Sequence, residues 1–250
     1  MRNIRSYIAV CAAALAFADV PTASADELVV SAAASLTNAF RDIGRRLADD
    51  HPATRLVFNF AATDVLLAQI SKGAPVDVFA AADEETMDRA DREGLLLAGS
   101  RRDFAANRLV LIVPAGAPAI ADLAALTRLG RIAIGNPRTV PAGRYAKAAL
   151  ERAQVWQAVE PHAVYAVNVR QVLDYVARKE VDAGFVYATD AAMMRDKVKV
   201  ALDVPTPAPV RYAVAVLRKS SHVAEARAFV DALAAPAAQK ILAQYGFASP

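Results

Sequence analysis

RIAIGNPRTVPAGRYAKAAL, residues 131–150, contains in one stretch the pattern that recurs along the whole chain. Arg131 to Gly135 is a short apolar run of strand character, Asn136-Pro-Arg-Thr is rich in turn formers, and Val140 opens a helix. Pro141 falls in the first helical turn, where its fixed φ fits and its missing N–H is not needed. Small Ala142 and Gly143 follow. Helices usually begin with a Ser, Thr, Asp or Asn side chain folded over their free N–H groups. Here no such side chain covers them, so bare amides point beyond the carboxyl end of a strand, where open α/β sheets bind their ligands.

The same alternation extends in both directions. Leu28-Val-Val30 leads to Leu36, Ala39, Phe40, Ile43 and Leu47, one face of an amphipathic helix. Arg55–Phe60 precedes a helix predicted over Val65–Lys72 and stopped by Gly73, and Val76–Ala80 precedes one running from Asp83 to about Arg92. Arg108–Val113, Arg131–Gly135, Ala163–Val167 and Gly184–Tyr187 continue the series, with Val169, Val172, Leu173 and Val176 marking another helical face. Strands alternating with helices predict parallel sheets covered by helices on both faces.

Near the end the pattern changes. Lys197–Val204 and Arg211–Leu217 are strand-like with no helix between them, only a stiff connector holding Pro205, Pro207 and Pro209. Two helical segments close the chain, one with Ala226, Phe229, Val230 and Leu233 on one face, the other ending before Gly246. The expected organisation is two α/β lobes, 26–107 with 211–250 and 108–210, crossed twice by the chain.

Residues 1–25 are set apart. Arg2 and Arg5 precede the uncharged stretch Tyr7–Phe17, and Ala23-Ser24-Ala25 is an A-x-A cleavage pattern. That is the layout of a cleavable signal peptide, with an apolar stretch too short to span a bilayer. The only cysteine, Cys11, lies in it. Setting aside Arg2, Arg5 and Asp19 leaves 27 basic and 25 acidic residues, net +2. This balance, with no basic run interleaved with aromatics, does not suggest a nucleic-acid binder. The expectation is an exported monomer of 225 residues.

Catalytic and metal signatures are missing. His51, His162 and His222 are scattered without metal-ligand spacing, and the G-x-S-x-G, Walker and G-x-G-x-x-G motifs are absent. No cofactor is expected. What the chain offers instead is small and hydroxyl residues at four strand–helix junctions: Ala32-Ala-Ala-Ser35, Ala61-Ala-Thr63-Asp64, Val140-Pro-Ala-Gly143 and Val167-Asn-Val169-Arg170. Helix starts of this kind suit anions. Taken singly, Ser35 and Thr63 read most simply as helix N-caps. Tyr187, just after a buried strand, reads either as a core tyrosine or as a further donor. Arg138, Arg144, Lys147 and Arg170 are read as solvated side chains able to draw an anion inward. Asp64 is expected to point outward and favour its own helix start.

AAASLTNAF, AQISKGAPVDVFAAAD, VPAGRYAKAAL and FVYATDA, with YGF near the end, resemble in order the motifs of the periplasmic molybdate-binding proteins of ABC transporters. The resemblance runs over 26–250. It implies a type II periplasmic-binding-protein fold, two α/β lobes on a two-stranded hinge with an oxyanion in the cleft. By motif, Ser35 supplies a hydroxyl and its N–H, Ala142 and Val169 supply backbone N–H groups, and Tyr187 its phenol. Thr63 stands where the family shows a serine-rich turn. The metal would be bound only as molybdate or tungstate, without direct metal ligands, and delivered to a membrane permease. Two alternatives stay open: a protein of the same fold for sulfate, phosphate or a small organic anion, and an exported α/β hydrolase.

Overall fold

The computed structural model describes residues 26–50 and 54–250; the expected leader, with Cys11, and His51 lie outside the described residues. The chain opens with β1 (Asp26–Ala33), a 3₁₀ turn (Ala34–Leu36) and α1 (Thr37–Asp50). β2 (Thr54–Ala61), α2 (Thr63–Ser71), β3 (Val78–Ala81), α3 (Glu84–Arg92) and β4 (Arg102–Asn107) follow. Then come β5 (Leu109–Pro114), β6 (Ile132–Gly135), α4 (Pro141–Arg152), α5 (Trp156–Val159) and β7 (Ala163–Ala166). α6 (Val169–Ala177), β8 (Ala183–Tyr187), α7 (Ala188–Ala192) and β9 (Val198–Val204) precede the return through β10 (Val210–Val216), α8 (Val223–Ala234) and α9 (Pro236–Gln244).

The strands form two sheets, ordered β2-β1-β3-β10-β4 and β7-β6-β8-β5-β9. Each sheet with its helices is one lobe of a type II periplasmic-binding-protein fold. The chain passes between them at Arg108 and again at residues 205–209. The sheets are mixed, not purely parallel as the strand–helix alternation predicts. β10 runs antiparallel to β3 and β4, and β5 antiparallel to β8 and β9. The reason is geometric. β1 to β3 and β6 to β8 carry the chain toward the cleft, whereas β5 and β10 each start at a crossing and must run away from it.

The predicted helical faces are the buried ones. Leu36, Ala39, Phe40 and Ile43 are buried on the first sheet, and Val169, Val172, Leu173 and Val176 on the second. β4 had no separate signal in the sequence; it is a short edge strand with only Phe104 and Ala105 buried.

Gly143 shows why α4 starts as it does. A Cβ built there would lie 1.8 Å from the Gly135 carbonyl oxygen, so helix and strand meet backbone to backbone. The glycine is needed for this approach as much as for open access to the amides. Because backbone cannot swing aside, Gly143→Ala is expected to cost at least the upper end of the roughly 1–3 kcal/mol typical of overpacking. At about 2–4 °C per kcal/mol, the thermal midpoint should fall by roughly 6–12 °C. An unchanged melting curve would contradict the close packing.

Candidate functional site

The four helix starts converge between the lobes. Ser35, Thr63, Ala142, Val169 and Tyr187 line one small cavity, together with Ala33, Ala62, Ala82, Val140 and Asn168. All five of the first group are buried, at most 4% exposed. The cavity measures about 10 Å³, taken as the space open to the centre of a water molecule. Organic ligands ordinarily occupy pockets of roughly 300–1,000 Å³, so this one suits a compact ion.

Its chemistry is that of a donor set. Ala142 and Val169 lie in the first turns of α4 and α6, where N–H groups have no intrahelical acceptor. Thr63 is the first residue of α2, and the preceding N-cap, Ala62, makes no side-chain cap bond. Ser35 sits inside the 3₁₀ turn, after an Ala33 N-cap that likewise makes none. The N-cap reading of Ser35 and Thr63 therefore gives way. The Thr63 hydroxyl oxygen instead accepts from the Ala82 N–H at 3.2 Å, which leaves its proton free. Ser35 Oγ lies 2.9 Å from the phenol oxygen of Tyr212. Two acceptors on the wall are already engaged. The Val140 carbonyl takes the N–H groups of Gly143 and Arg144, and Asn168 Oδ1 takes that of Gln171.

Tyr187 reaches across the cleft, its phenol donating to the Ala82 carbonyl at 3.5 Å. Burial raises the phenols of Tyr187 and Tyr212 above their ordinary value. Both remain neutral donors throughout the physiological range.

The charged residues stand at the rim, and here three expectations, those for Asp64, Arg144 and Arg170, are corrected. Asp64 does not point outward. It is buried in an ion pair with Arg89, and it accepts from Arg144 of the opposite lobe at 2.7 Å. Arg144 is not simply solvated: it also pairs with Asp83 and donates to the Thr86 hydroxyl at 3.0 Å. These ties are invisible in sequence because they join positions 25 to 80 residues apart.

Arg170 makes the second bridge. Its Nε lies 2.6 Å from buried Asp190 Oδ1, and its other nitrogens donate to Ser35 O at 3.1 Å and Asn38 Oδ1 at 3.0 Å. Two arginines that do not line the cavity thus tie the lobes together.

Burial pushes the Asp83 carboxyl up, with Arg144 and Thr86 opposing. Burial would lower Arg144, but Asp83 and Asp64 outweigh it and hold the guanidinium above its ordinary value. Such a pair contributes little net stability, yet removing one partner leaves uncompensated charge. Arg144 keeps 21% of its side chain exposed, so the usual 3–5 kcal/mol for breaking a buried pair is discounted to about 2–3 kcal/mol. Arg144→Ala is expected to open the ligand-free protein, read as a larger radius of gyration in solution scattering. Identical scattering from variant and parent would remove Arg144 from the closure.

Buried phenols also set an alkaline limit. The folded chain holds the Tyr187 and Tyr212 protons more tightly than the unfolded chain does. That stabilisation is complete below about pH 10, the unfolded phenol value, and is lost as pH rises through the higher folded values. The thermal midpoint should decline above about pH 10, less steeply in Tyr212→Phe, whereas equal slopes would contradict this assignment.

Relatives support the same architecture. The model of the bacterial extracellular solute-binding protein family matches residues 28–248. The molybdate-binding protein ModA of Escherichia coli is 37% identical over 246 residues, covering 94% of this chain and 95% of that one. ModA of Mycobacterium tuberculosis H37Rv is 38% identical over 234 residues, covering 92% and 87%. Among solved structures, the periplasmic molybdate-binding protein of Azotobacter vinelandii superposes with a TM-score of 0.76 at 25% identity, covering 89% of this chain and 99% of that one. The chain belongs to the bacterial extracellular solute-binding protein family.

Proposed function

We propose that the protein captures molybdate, and tungstate by the same geometry, outside the cytoplasm and delivers it to the membrane permease of an ABC transporter. The observation that carries this reading is the small cavity between the lobes, lined by N–H and O–H donors and by no charged side chain. Ser35 and Thr63 would donate through their hydroxyls and N–H groups, Ala142 and Val169 through N–H groups, and Tyr187 by turning its phenol proton from the Ala82 carbonyl to the ligand. A tetrahedral dianion offers acceptors on all four oxygens and matches such a set. The relatives named as molybdate-binding proteins share most of the chain with it. No bound cofactor takes part, and the working unit is a monomer.

A free carboxylate at Asp64 would argue for a different anion, since it could accept a proton from hydrogen phosphate. Its engagement with Arg89 and Arg144 removes that argument. Turnover is not proposed. A hydrolase would need a base at Ser35, and the partner of Ser35 is a phenol that burial keeps protonated. Discrimination against sulfate would rest on size, because donors spaced for longer metal–oxygen bonds leave a smaller ion under-bonded. Residues 1–25 would direct export and then be removed, giving a periplasmic location; among the described residues no helix is long and apolar enough to cross a membrane.

Thermal unfolding of residues 26–250 with molybdate, tungstate, sulfate or phosphate, each added separately, tests the reading. A ligand at a thousand times its dissociation constant stabilises by about 4 kcal/mol. In a chain of this length the midpoint should rise by roughly 8–16 °C. The expected result is a large rise with molybdate and tungstate and little with the other two. A rise confined to sulfate or phosphate would reassign the ligand, and none at all would overturn the reading.

A further inference from the structure

Ser35 offers one hydroxyl to the cavity, and a hydroxyl can either give or take a hydrogen bond. A dianion is helped only if it gives. The neighbours of Ser35 settle which way it points. Asn107 is the last residue of β4, next to the first crossing between the lobes. Its Oδ1 accepts the N–H of Arg108 at 2.9 Å, which fixes the amide orientation. The Nδ2 group then faces Thr189 Oγ1 at 2.9 Å and the Tyr212 phenol oxygen at 3.3 Å. An amide nitrogen only donates, so the Tyr212 oxygen accepts there. Its proton goes to its other polar neighbour, Ser35 Oγ, at 2.9 Å. With that lone pair occupied, the Ser35 proton turns toward the cavity.

The relay is held rigidly. The Tyr212 ring is fully buried and meets Phe104, Tyr187 and Phe247 edge to face, at centroid distances of 6.3, 5.9 and 5.3 Å. Thr189 belongs to α7 of the second lobe, so the Asn107 amide spans the cleft and is anchored when the lobes are closed. Neither Asn107 nor Tyr212 lines the cavity.

We propose that Asn107 and Tyr212 are positioning residues for the anion, forming a one-way hydrogen-bond chain that makes Ser35 a donor and so disfavours anions that carry a proton. This rests on the anion-binding reading and deepens it. Thr63 is polarised in the same sense by the Ala82 N–H. In both hydroxyls an internal donor takes one of the two lone pairs and leaves the proton for the anion. Hydrogen phosphate therefore finds its proton facing another proton.

The test is a double-mutant cycle read by calorimetric titration with molybdate and with phosphate near neutral pH. Tyr212→Phe keeps the ring and removes the relay. Asn107→Asp reverses it, because a carboxylate accepts from Tyr212, and Ser35 must then donate inward. Ser35→Ala should weaken molybdate binding by about tenfold or more, as expected for a hydrogen bond to a charged group. Tyr212→Phe and Asn107→Asp should each weaken it by about tenfold in the parent protein and by much less in the Ser35→Ala background. In Tyr212→Phe the preference for molybdate over phosphate should also narrow, since the freed hydroxyl can accept. A purely structural role would give equal losses in both backgrounds and an unchanged preference, and that result overturns the relay. Unaltered molybdate binding in Ser35→Ala would overturn the anion site itself, and the relay with it.

Discussion

A site made only of donors requires every lone pair on its wall to be taken up by something other than the ligand. Most of what surrounds this cavity follows from that requirement. The Val140 carbonyl and the Asn168 side chain are occupied by the first turns of their own helices. The Thr63 oxygen is filled by a backbone N–H from the loop after β3, and the Ser35 oxygen lies against Tyr212. Helix starts contribute partial positive charge without a counterion, and small residues at the junctions keep their amides uncovered.

Formal charge is placed one layer out. Arg144 and Arg170 both come from the second lobe and both reach residues of the first. At the rim they close the cleft by pairing with carboxylates and carbonyls, and they remain clear of the space inside. A guanidinium in the cavity would attract any anion strongly and distinguish poorly among them; neutral donors make shape and protonation state the deciding properties. The close contact of Gly143 with Gly135 serves the same end, because it fixes where the Ala142 amide stands.

The sequence made the alternation of strands and helices legible, and with it the junctions at Ser35, Thr63, Ala142, Val169 and Tyr187, because these depend on local periodicity and on residues adjacent in the chain. Sheet polarity was not legible. It depends on where the chain crosses between lobes, and alternation alone predicts parallel neighbours. Nor was the role of Asp64, whose partners lie 25 and 80 positions away. Tyr212 was hidden for another reason. In Val210–Val216 it occupies a buried place in a strand, as any core aromatic would, and only its contacts with Asn107 and Ser35 set it apart.

The placement of β10 has a consequence for the order in which the molecule can assemble. Residues 108–210 hold all five strands of their sheet in one contiguous stretch. The other sheet cannot join β3 to β4 until β10 arrives between them, and Ala248 pairs with Ala106 later still. A chain emerging N-terminus first therefore spends most of its synthesis with its first hundred residues unable to complete their core. Long-range pairing of this kind folds slowly. In the exported protein proposed above, that delay would keep the chain in a state that can be threaded across a membrane.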